Sequence, residues 1–250
     1  MQLSGESSWQ DNRNYIMIYP QYVSITESFL SEKEVDELNL WFKMYAPEQG
    51  ARVGSINQYQ DDPDAPPEDE EGGSYDTNIR KSEVRWGDLQ HISEMHPELV
   101  EKIMNGIYQK ACDMGMNFGI EFAENMQHTT YHAPEKQEDV AGFYTWHTDA
   151  GPNANPDQTI RKLSAVIQLT DPDEYEGGHF QWLEPWKLFD KLRSDKPTIR
   201  VDEAIMTAPF SAKTKGTLIV FPSYLHHQVL PVTRGTRQSL VLWQQGYPHY

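Results

Sequence analysis

Cysteine is nearly absent from this sequence: Cys112 is the single cysteine in 250 residues. One cysteine excludes an intramolecular disulfide, and a reducing compartment is the simplest interpretation. Long apolar runs are also missing, and no stretch approaches the roughly 20 apolar residues that a spanning helix requires. The first fourteen residues are polar and lack the apolar core of a signal peptide. These absences predict a cytoplasmic protein with no membrane partner.

Basic residues are scarce relative to acidic ones. The chain has 21 Lys and Arg against 38 Asp and Glu, which gives a formal net charge of −17. A surface of this sign repels phosphate backbones, so we expect no nucleic acid partner. Nucleophile-elbow, P-loop and dinucleotide-binding motifs are missing too, and the hydrolase, nucleotide-binding and Rossmann classes are therefore unsupported.

Two helices are predicted in the first half of the chain. Ser31 and Glu34 have the spacing of a capping box, and apolar residues then recur at helical intervals at Val35, Leu38, Trp41, Phe42 and Tyr45. A second helix is predicted to begin at Pro97 and to end near residues 115–119, with Val100, Ile103, Met104, Ile107 and Ala111 on one face and a buried, inert Cys112.

Between these helices lies an acidic, proline-rich segment at residues 60–73. Its composition excludes a core element and predicts a long exposed loop. Two interpretations stay open at this point. The segment is either a solvated loop with no function or a mobile loop that covers an active site.

From Gln127 onward the chain consists of short β-branched and aromatic runs separated by turn signals such as Asp171-Pro172-Asp173 and Gly177-Gly178. Strands of this length and spacing predict a β-sandwich or barrel. We therefore expect one domain over residues 1–250, with a helical flank and the acidic loop at about 1–125 and a β-rich core at about 126–246.

His147 and Asp149 form the pattern that carries chemistry. In a strand, residues two apart point to the same side, so an imidazole and a carboxylate meet at one point. His226-His227 supplies a histidine from a later strand. Two nitrogens and one oxygen on one face of a metal are the ligand set of non-haem Fe(II) oxygenases. An HxD pair with a distant histidine is weak evidence by itself, because chance pairs are common.

Several segments in the right order make the pattern specific. FYTWHTD at 143–149 resembles the first metal motif of the prolyl-4-hydroxylase-like Fe(II)/2-oxoglutarate oxygenases. RKLSAV at 161–166 and LTDPDEYEGGHF at 169–180 resemble the central part of the bacterial PKHD-type hydroxylases, and FPSYLHHQVLPVTRGTR at 221–237 resembles their distal motif. IRKSEVRW at 79–86 is a weaker match. The resemblance covers about half of the chain.

This resemblance implies a mainly β fold with flanking helices, whose core is a double-stranded β-helix, or jelly roll. It implies that His147, Asp149 and His227 bind Fe(II), with His226 on the other side of the strand. It further implies that Arg237 binds the distal carboxylate of 2-oxoglutarate and that Tyr131 reaches the same co-substrate. A guanidinium suits this task because it makes two charge-assisted bonds to one carboxylate. The implied cofactors are Fe(II), 2-oxoglutarate and O2, with ascorbate as an accessory reductant.

The implied activity is hydroxylation of a prolyl residue in a peptide or protein, with release of succinate and CO2. Tyr144 and Trp243 are predicted to line the substrate pocket, although Tyr144 has an equally simple interpretation as a packing residue. The negative charge favours substrates with basic residues near the target. Two alternatives remain: an oxygenase acting on another amino acid or a small molecule, and a metal-binding jelly roll without catalysis.

Overall fold

The computed structural model describes residues 21–51, 76–151, 158–187 and 201–248, and the acidic segment 60–73 lies outside them. The described residues contain the following helices and strands in chain order: β1 (Ser24–Thr26), α1 (Glu32–Tyr45), β2 (Gln49–Gly50), β3 (Arg80–Lys81), β4 (Glu83–Gly87), α2 (Leu89–Met95), α3 (Pro97–Asp113), β5 (Phe122–Ala123), β6 (Met126–His132), β7 (Phe143–His147), β8 (Ile160–Gln168), β9 (Tyr175–Gly177), β10 (Phe180–Leu183), β11 (Ile205–Thr207), β12 (Leu218–Pro222), β13 (His227–Val229) and β14 (Val232–Gly246).

Helix α1 begins with the predicted capping box. The Ser31 hydroxyl accepts a hydrogen bond from the Glu34 amide at 3.3 Å, and the Glu34 carboxylate accepts one from the Ser31 amide at 2.7 Å. These two bonds satisfy amides that have no partner within the helix. The predicted buried face is confirmed at Val35, Leu38, Trp41 and Phe42. Tyr45 was predicted to be buried and is 44% exposed, because it ends the helix and its ring packs edge-on against His91.

Helix α3 begins at Pro97 as predicted and ends at Asp113, just before Gly115 adopts a positive φ of 79°. Its buried face also includes Leu99. Cys112 was predicted to be buried, but it is a half-buried free thiol at the edge of that face. Sequence reasoning missed α2, although Asp88 caps it by accepting a hydrogen bond from the His91 amide at 2.7 Å.

Two antiparallel sheets form the core, so the predicted jelly-roll class is confirmed. The large sheet has the order β1-β12-β8-β14-β6-β4-β2, with β5 and β9 also paired to β14. The small sheet has the order β11-β10-β13-β7-β3. The residues before 126 are not purely helical, since they contribute β1, β2, β4 and β5 to the large sheet.

Alternation along β8 and β14 separates two environments. On β8, Leu163, Ala165 and Ile167 pack against the helices, whereas Ser164 and Val166 face the small sheet. On β14, Leu240 and Leu242 join the helix-facing core. The opposite face of β14 carries Arg237, Ser239 and Trp243, all nearly inaccessible to solvent. Because side chains alternate in a strand, the sheet that buries the helices also lines a polar interior.

A membrane-crossing helix is not found among the described helices, because none combines the necessary length with the necessary hydropathy.

The buried His128 on β6 makes the stability of the fold depend on pH. Its ring lies 5.3 Å from that of Phe42 on α1, and it is 4% exposed. Burial, followed by the charge of Arg85, lowers the pKa of His128 to about 4. A histidine held neutral in the fold takes up a proton on unfolding, so its contribution to stability is lost as pH falls below its unfolded pKa of about 6.5.

We therefore expect acidification from pH 7 to pH 5 to cost about 2 kcal/mol of unfolding free energy through His128 alone. His128→Leu should remove this contribution of His128. The free energy of unfolding of the variant should therefore fall less between pH 7 and pH 5 than that of the wild type. Urea titrations of the metal-free protein at both pH values measure the difference. Equal losses in the two proteins would contradict the assignment.

Candidate metal centre

His147 and His227 face each other across two neighbouring strands of the small sheet. Strand β7 ends at His147, strand β13 begins at His227, and the register pairs these two residues directly. Their ring centroids are 4.1 Å apart. Directly opposed residues of an antiparallel pair project to the same side, so the pairing brings two imidazoles together without further constraint.

The backbone fixes the proton on each ring. His147 Nδ1 lies 2.7 Å from the carbonyl oxygen of Thr145, and His227 Nδ1 lies 2.9 Å from that of Leu225. A carbonyl oxygen only accepts, so Nδ1–H is the donor in both cases. In the neutral rings, Nε2 is then unprotonated and has a lone pair available for a metal.

Asp149 completes the cluster from outside the strand. The sequence pattern predicted His147 and Asp149 on one strand, but β7 ends at His147 and Asp149 lies in the following bend. Its amide donates to the Ser223 carbonyl oxygen at 2.9 Å, which ties the bend to the turn before β13. The Asp149 carboxylate oxygens lie 3.7 Å from Nε2 of His147 and 3.7 Å from Nε2 of His227.

The Asp149 carboxylate stays ionised although it is buried. Burial raises its pKa, but the charges of His227, His147 and Arg161 outweigh that effect, and together with a hydrogen bond from Ser164 they lower the pKa of Asp149 to about 2. Burial, followed by the proximity of His227, lowers the pKa of His147 to about 3. Above pH 4 these two groups therefore present a carboxylate and a neutral imidazole, the forms that bind metals.

His147, Asp149 and His227 each offer one metal-binding atom, and these three atoms lie within 4.8 Å of one another. Among the described residues, they form the group of at least three His, Cys, Asp or Glu side chains that is close enough to bind one metal ion. Two nitrogens and one carboxylate oxygen on one side of a cation fit Fe(II) as a facial triad that leaves other coordination positions open. Sequence reasoning chose His227 over His226. In the structure His227 lies in the cluster, whereas His226 is exposed.

Arg237 lies deeper in the same interior. It is 1% exposed, and strand pairing sets it opposite Tyr131, whose ring centroid is 5.4 Å from the guanidinium carbon. Its hydrogen bond to the Ser239 hydroxyl is long, 3.3 Å from Nη1, and its Nε has no partner among the described residues. A buried, under-coordinated guanidinium calls for an anionic ligand.

Aromatic and basic side chains surround the other side of the cluster. Tyr144 stacks on His147 with ring centroids 3.5 Å apart and an interplanar angle of 13°. Arg80 lies over the outer face of Tyr144 at 4.7 Å. Trp243 is covered by Arg161, whose guanidinium carbon is 3.8 Å from the ring centroid. The predicted pocket residues Tyr144 and Trp243 thus each stack with an arginine next to the metal cluster.

Arg80 and Arg161 are site residues that sequence reasoning missed. Arg161 is held by two hydrogen bonds of 2.6 Å to the carboxylate of Glu124, and Arg80 donates to the side chains of Ser82 and Gln127. Both arginines lie in segments that resemble the hydroxylases, at 79–86 and 161–166. The resemblance of these two segments therefore pointed to the right part of the chain. A single sequence does not indicate, however, that these two side chains point towards the cluster.

Comparison with known proteins agrees with this geometry. Residues 127–245 match the model of the 2OG-Fe(II) oxygenase superfamily. A PKHD-type hydroxylase of Stenotrophomonas maltophilia is 35% identical over 107 residues, which cover 42% of this chain and 39% of that protein. The chain spans between about two fifths and three fifths of the length of the curated relatives it matches: 40% of a Pseudomonas fluorescens hydroxylase and 57% of an Escherichia coli one.

Solved structures show the same fold. The viral collagen prolyl hydroxylase of Paramecium Bursaria Chlorella virus-1, in complex with 2OG, has a TM-score of 0.51 and 19% identity, covering 90% of this chain and 97% of that one. A Trichoplax adhaerens prolyl hydroxylase bound to a peptide fragment has a TM-score of 0.53 and 15% identity, covering 89% and 82%.

The segment that matches the 2OG-Fe(II) oxygenase superfamily, residues 127–245, contains the three residues of the metal cluster and Arg237, and the similar curated proteins are PKHD-type hydroxylases. The superfamily implies Fe(II), 2-oxoglutarate and O2, and the donor set of the cluster fits the metal.

Metal binding tests the cluster directly. Fe(II) and 2-oxoglutarate, added without oxygen, should give the weak visible charge-transfer absorption of a chelated ferrous centre. His227→Ala should abolish that absorption because it removes one of three ligands. His226→Ala is the matched control, since the neighbouring imidazole is exposed, and it should retain the absorption. The opposite pattern would mean that the register of β13 is wrong by one residue.

Proposed function

We propose that this chain is a single-domain Fe(II)- and 2-oxoglutarate-dependent dioxygenase that hydroxylates a prolyl residue in a peptide or protein. The observation that carries the proposal is the joint occurrence, in one buried interior, of the His147, Asp149 and His227 cluster and the under-coordinated cation of Arg237. When bound, Fe(II) with 2-oxoglutarate activates O2 for insertion of one oxygen atom into the substrate, with release of succinate and CO2. Ascorbate would serve only to keep the iron reduced.

In this proposal His147, Asp149 and His227 hold the metal. Their own contacts support the role, because both Nδ1 atoms are bonded to backbone carbonyls and only Nε2 faces the carboxylate. The strand ends fix the two rings and the Ser223 carbonyl fixes the Asp149 backbone, so the site needs little rearrangement to accept a cation.

Arg237 is proposed to bind the distal carboxylate of 2-oxoglutarate, with Tyr131 beside it. Arg237 and Tyr131 are opposite each other on β14 and β6, and both side chains are nearly fully buried. This pair also argues against a metal-binding protein without catalysis, since a site that holds only a metal has no use for a second, unpaired buried cation. Small-molecule oxygenases share these groups, so the substrate needs its own test.

Arg237→Ala should weaken 2-oxoglutarate binding by roughly 30-fold to several thousand-fold, the equivalent of about 2–5 kcal/mol for removal of one partner of a buried charge pair. Arg234→Ala is the control, because Arg234 is exposed and pairs on the surface with Glu176 at 2.8 Å. Calorimetry with the Mn(II)-loaded protein measures both. Similar affinities in the two variants would reject the assignment of Arg237.

The aromatic residues at the mouth of the cluster support a prolyl substrate. The ring faces of Tyr144 are covered by His147 and Arg80, and Arg161 covers one face of Trp243. The apolar edges of these two rings are therefore the parts proposed to pack against a pyrrolidine ring. Arg161, held by Glu124, lies over the Trp243 ring and is close enough to the metal cluster for its charge to help lower the pKa of Asp149. Its guanidinium is placed to donate to a carbonyl oxygen of a bound peptide.

Charge suggests how such a peptide is attracted. The chain as a whole carries −17, which favours basic residues flanking the target at low ionic strength. At the site itself the local charge is positive, because Arg80 lies beside Tyr144 and Arg161 lies beside Trp243. We therefore propose that basic residues act at a distance from the target proline rather than next to it.

Mass spectrometry of a proline-containing peptide library after reaction tests the substrate. The expected result is a gain of about 16 mass units, one oxygen atom, mapped to proline. Trp243→Ala should reduce the yield more than it reduces 2-oxoglutarate affinity, because Trp243 is proposed to contact the peptide. Oxygen found only on other residues or on free amino acids would overturn the prolyl substrate and leave the dioxygenase proposal intact.

A further inference from the structure

A second buried cation lies near Arg237. Lys213 ends a short 3-10 helix, Phe210–Lys213, and is 6% exposed, which is unusual for a lysine. Its Nζ lies 4.1 Å from the ring centroid of Tyr175, a residue that is itself 1% exposed. The ring face stabilises the ammonium group in part, but a neutral ring does not neutralise its charge.

Tyr175 and Arg237 meet at Gly178. This glycine has a φ of +61°, and a Cβ built on it would lie 2.8 Å from Cδ of Arg237 and 3.3 Å from Cε2 of Tyr175. Gly178 has only a hydrogen atom where other residues have a Cβ, and this leaves room for the side chains of Arg237 and Tyr175. Lys213 therefore shares with Arg237 the small interior space around Tyr175.

The polar atoms in this space are short of partners. Among the described residues, Arg237 Nε is buried without a hydrogen-bond partner. The buried Tyr175 hydroxyl lies near the Arg237 guanidinium, which opposes the rise in the pKa of Tyr175 that burial causes. No carboxylate of those residues forms a salt bridge with Lys213 or Arg237. Burial, followed by the charge of Arg237, lowers the pKa of Lys213, and the more distant Glu176 only partly opposes this. Two neighbouring cations that pair with no described carboxylate indicate that an anion binds near both of them.

We propose that Lys213 is a second binding residue for the distal carboxylate of 2-oxoglutarate, so that Arg237 and Lys213 hold this carboxylate from two sides. The inference rests on the proposed function, since it takes the ligand from it. A carboxylate has two oxygens with two lone pairs each, enough to accept from a guanidinium and an ammonium at once. Lys213 then acts in co-substrate affinity and in selection of dicarboxylates over monocarboxylates.

Lys213→Met tests the proposal, because methionine keeps the length and apolar part of the side chain and removes the charge. Two ligands are titrated into the anaerobic Mn(II)-loaded protein by calorimetry: 2-oxoglutarate and 2-oxobutyrate, which lacks the distal carboxylate. Loss of one charge-assisted hydrogen bond should weaken 2-oxoglutarate binding by about 10- to 100-fold. The affinity for 2-oxobutyrate should stay within a factor of about two of the wild type.

Lys215→Met is the matched control. Lys215 lies two residues further along the same loop and pairs with Asp36 at 2.8 Å, away from Tyr175. It should bind both ligands like the wild type. Lys213→Met with wild-type affinity for 2-oxoglutarate, or with equal losses for both ligands, overturns the role of Lys213. Absence of binding of either ligand to the wild type would instead reject the proposed function.

A measurement on the wild type covers the case in which Lys213→Met does not fold. With lysines labelled at the ε-carbon, NMR titration follows the pKa of Lys213, assigned with Lys213→Arg. An anion next to an ammonium raises the pKa of that ammonium. Addition of 2-oxoglutarate should therefore raise the pKa of Lys213, whereas 2-oxobutyrate should leave it unchanged. If the pKa of Lys213 does not change when 2-oxoglutarate is added, the proposal is wrong.

Discussion

The buried carboxylate of Asp149 is the constraint on which the rest of the site depends. A carboxylate is costly to remove from water unless charged or hydrogen-bonding groups surround it. Here the imidazoles of His147 and His227 flank it at 3.7 Å each, and Ser164 and Arg161 complete its surroundings. A metal cation bound by this group would neutralise the negative charge of the Asp149 carboxylate through a direct bond. Cation binding would therefore stabilise the folded protein.

The sheets hold this group because strand pairing and alternation are both fixed by the backbone. The register of β7 and β13 makes His147 and His227 neighbours, and the turn at Ser223 brings the Asp149 bend to them. On the large sheet, one face of β8 and β14 is anchored by the helix core. A one-residue slip would move Arg237 out of the interior and Leu240 into it, so burial of the apolar face also secures the polar one.

Cations are concentrated inside a strongly acidic protein. Arg80 and Arg161 stack on aromatic rings beside the metal cluster, and Arg237 and Lys213 lie around Tyr175 in the interior. Inside, where charges are poorly screened, each cation acts over a short range on whatever binds next to it. Outside, the net charge of −17 acts on approaching partners through water and is weakened by salt. Recognition at the site and attraction to the protein are therefore governed by opposite signs.

The sequence by itself determined features that depend on near neighbours: the Ser31 capping box, the start of α3 at Pro97, and the main strands of the core from β6 to β14. Alternation along a strand also puts residues 237 and 243, which are six apart, on one face. Only the tertiary structure decided which distant groups meet. Arg161 and Lys213 are ordinary basic residues in the sequence, Asp149 reaches the histidines from a bend, and Tyr45 remains outside the core. The reason is that periodicity reports the direction of a side chain relative to its own element, whereas strand register and loop path decide what lies opposite it.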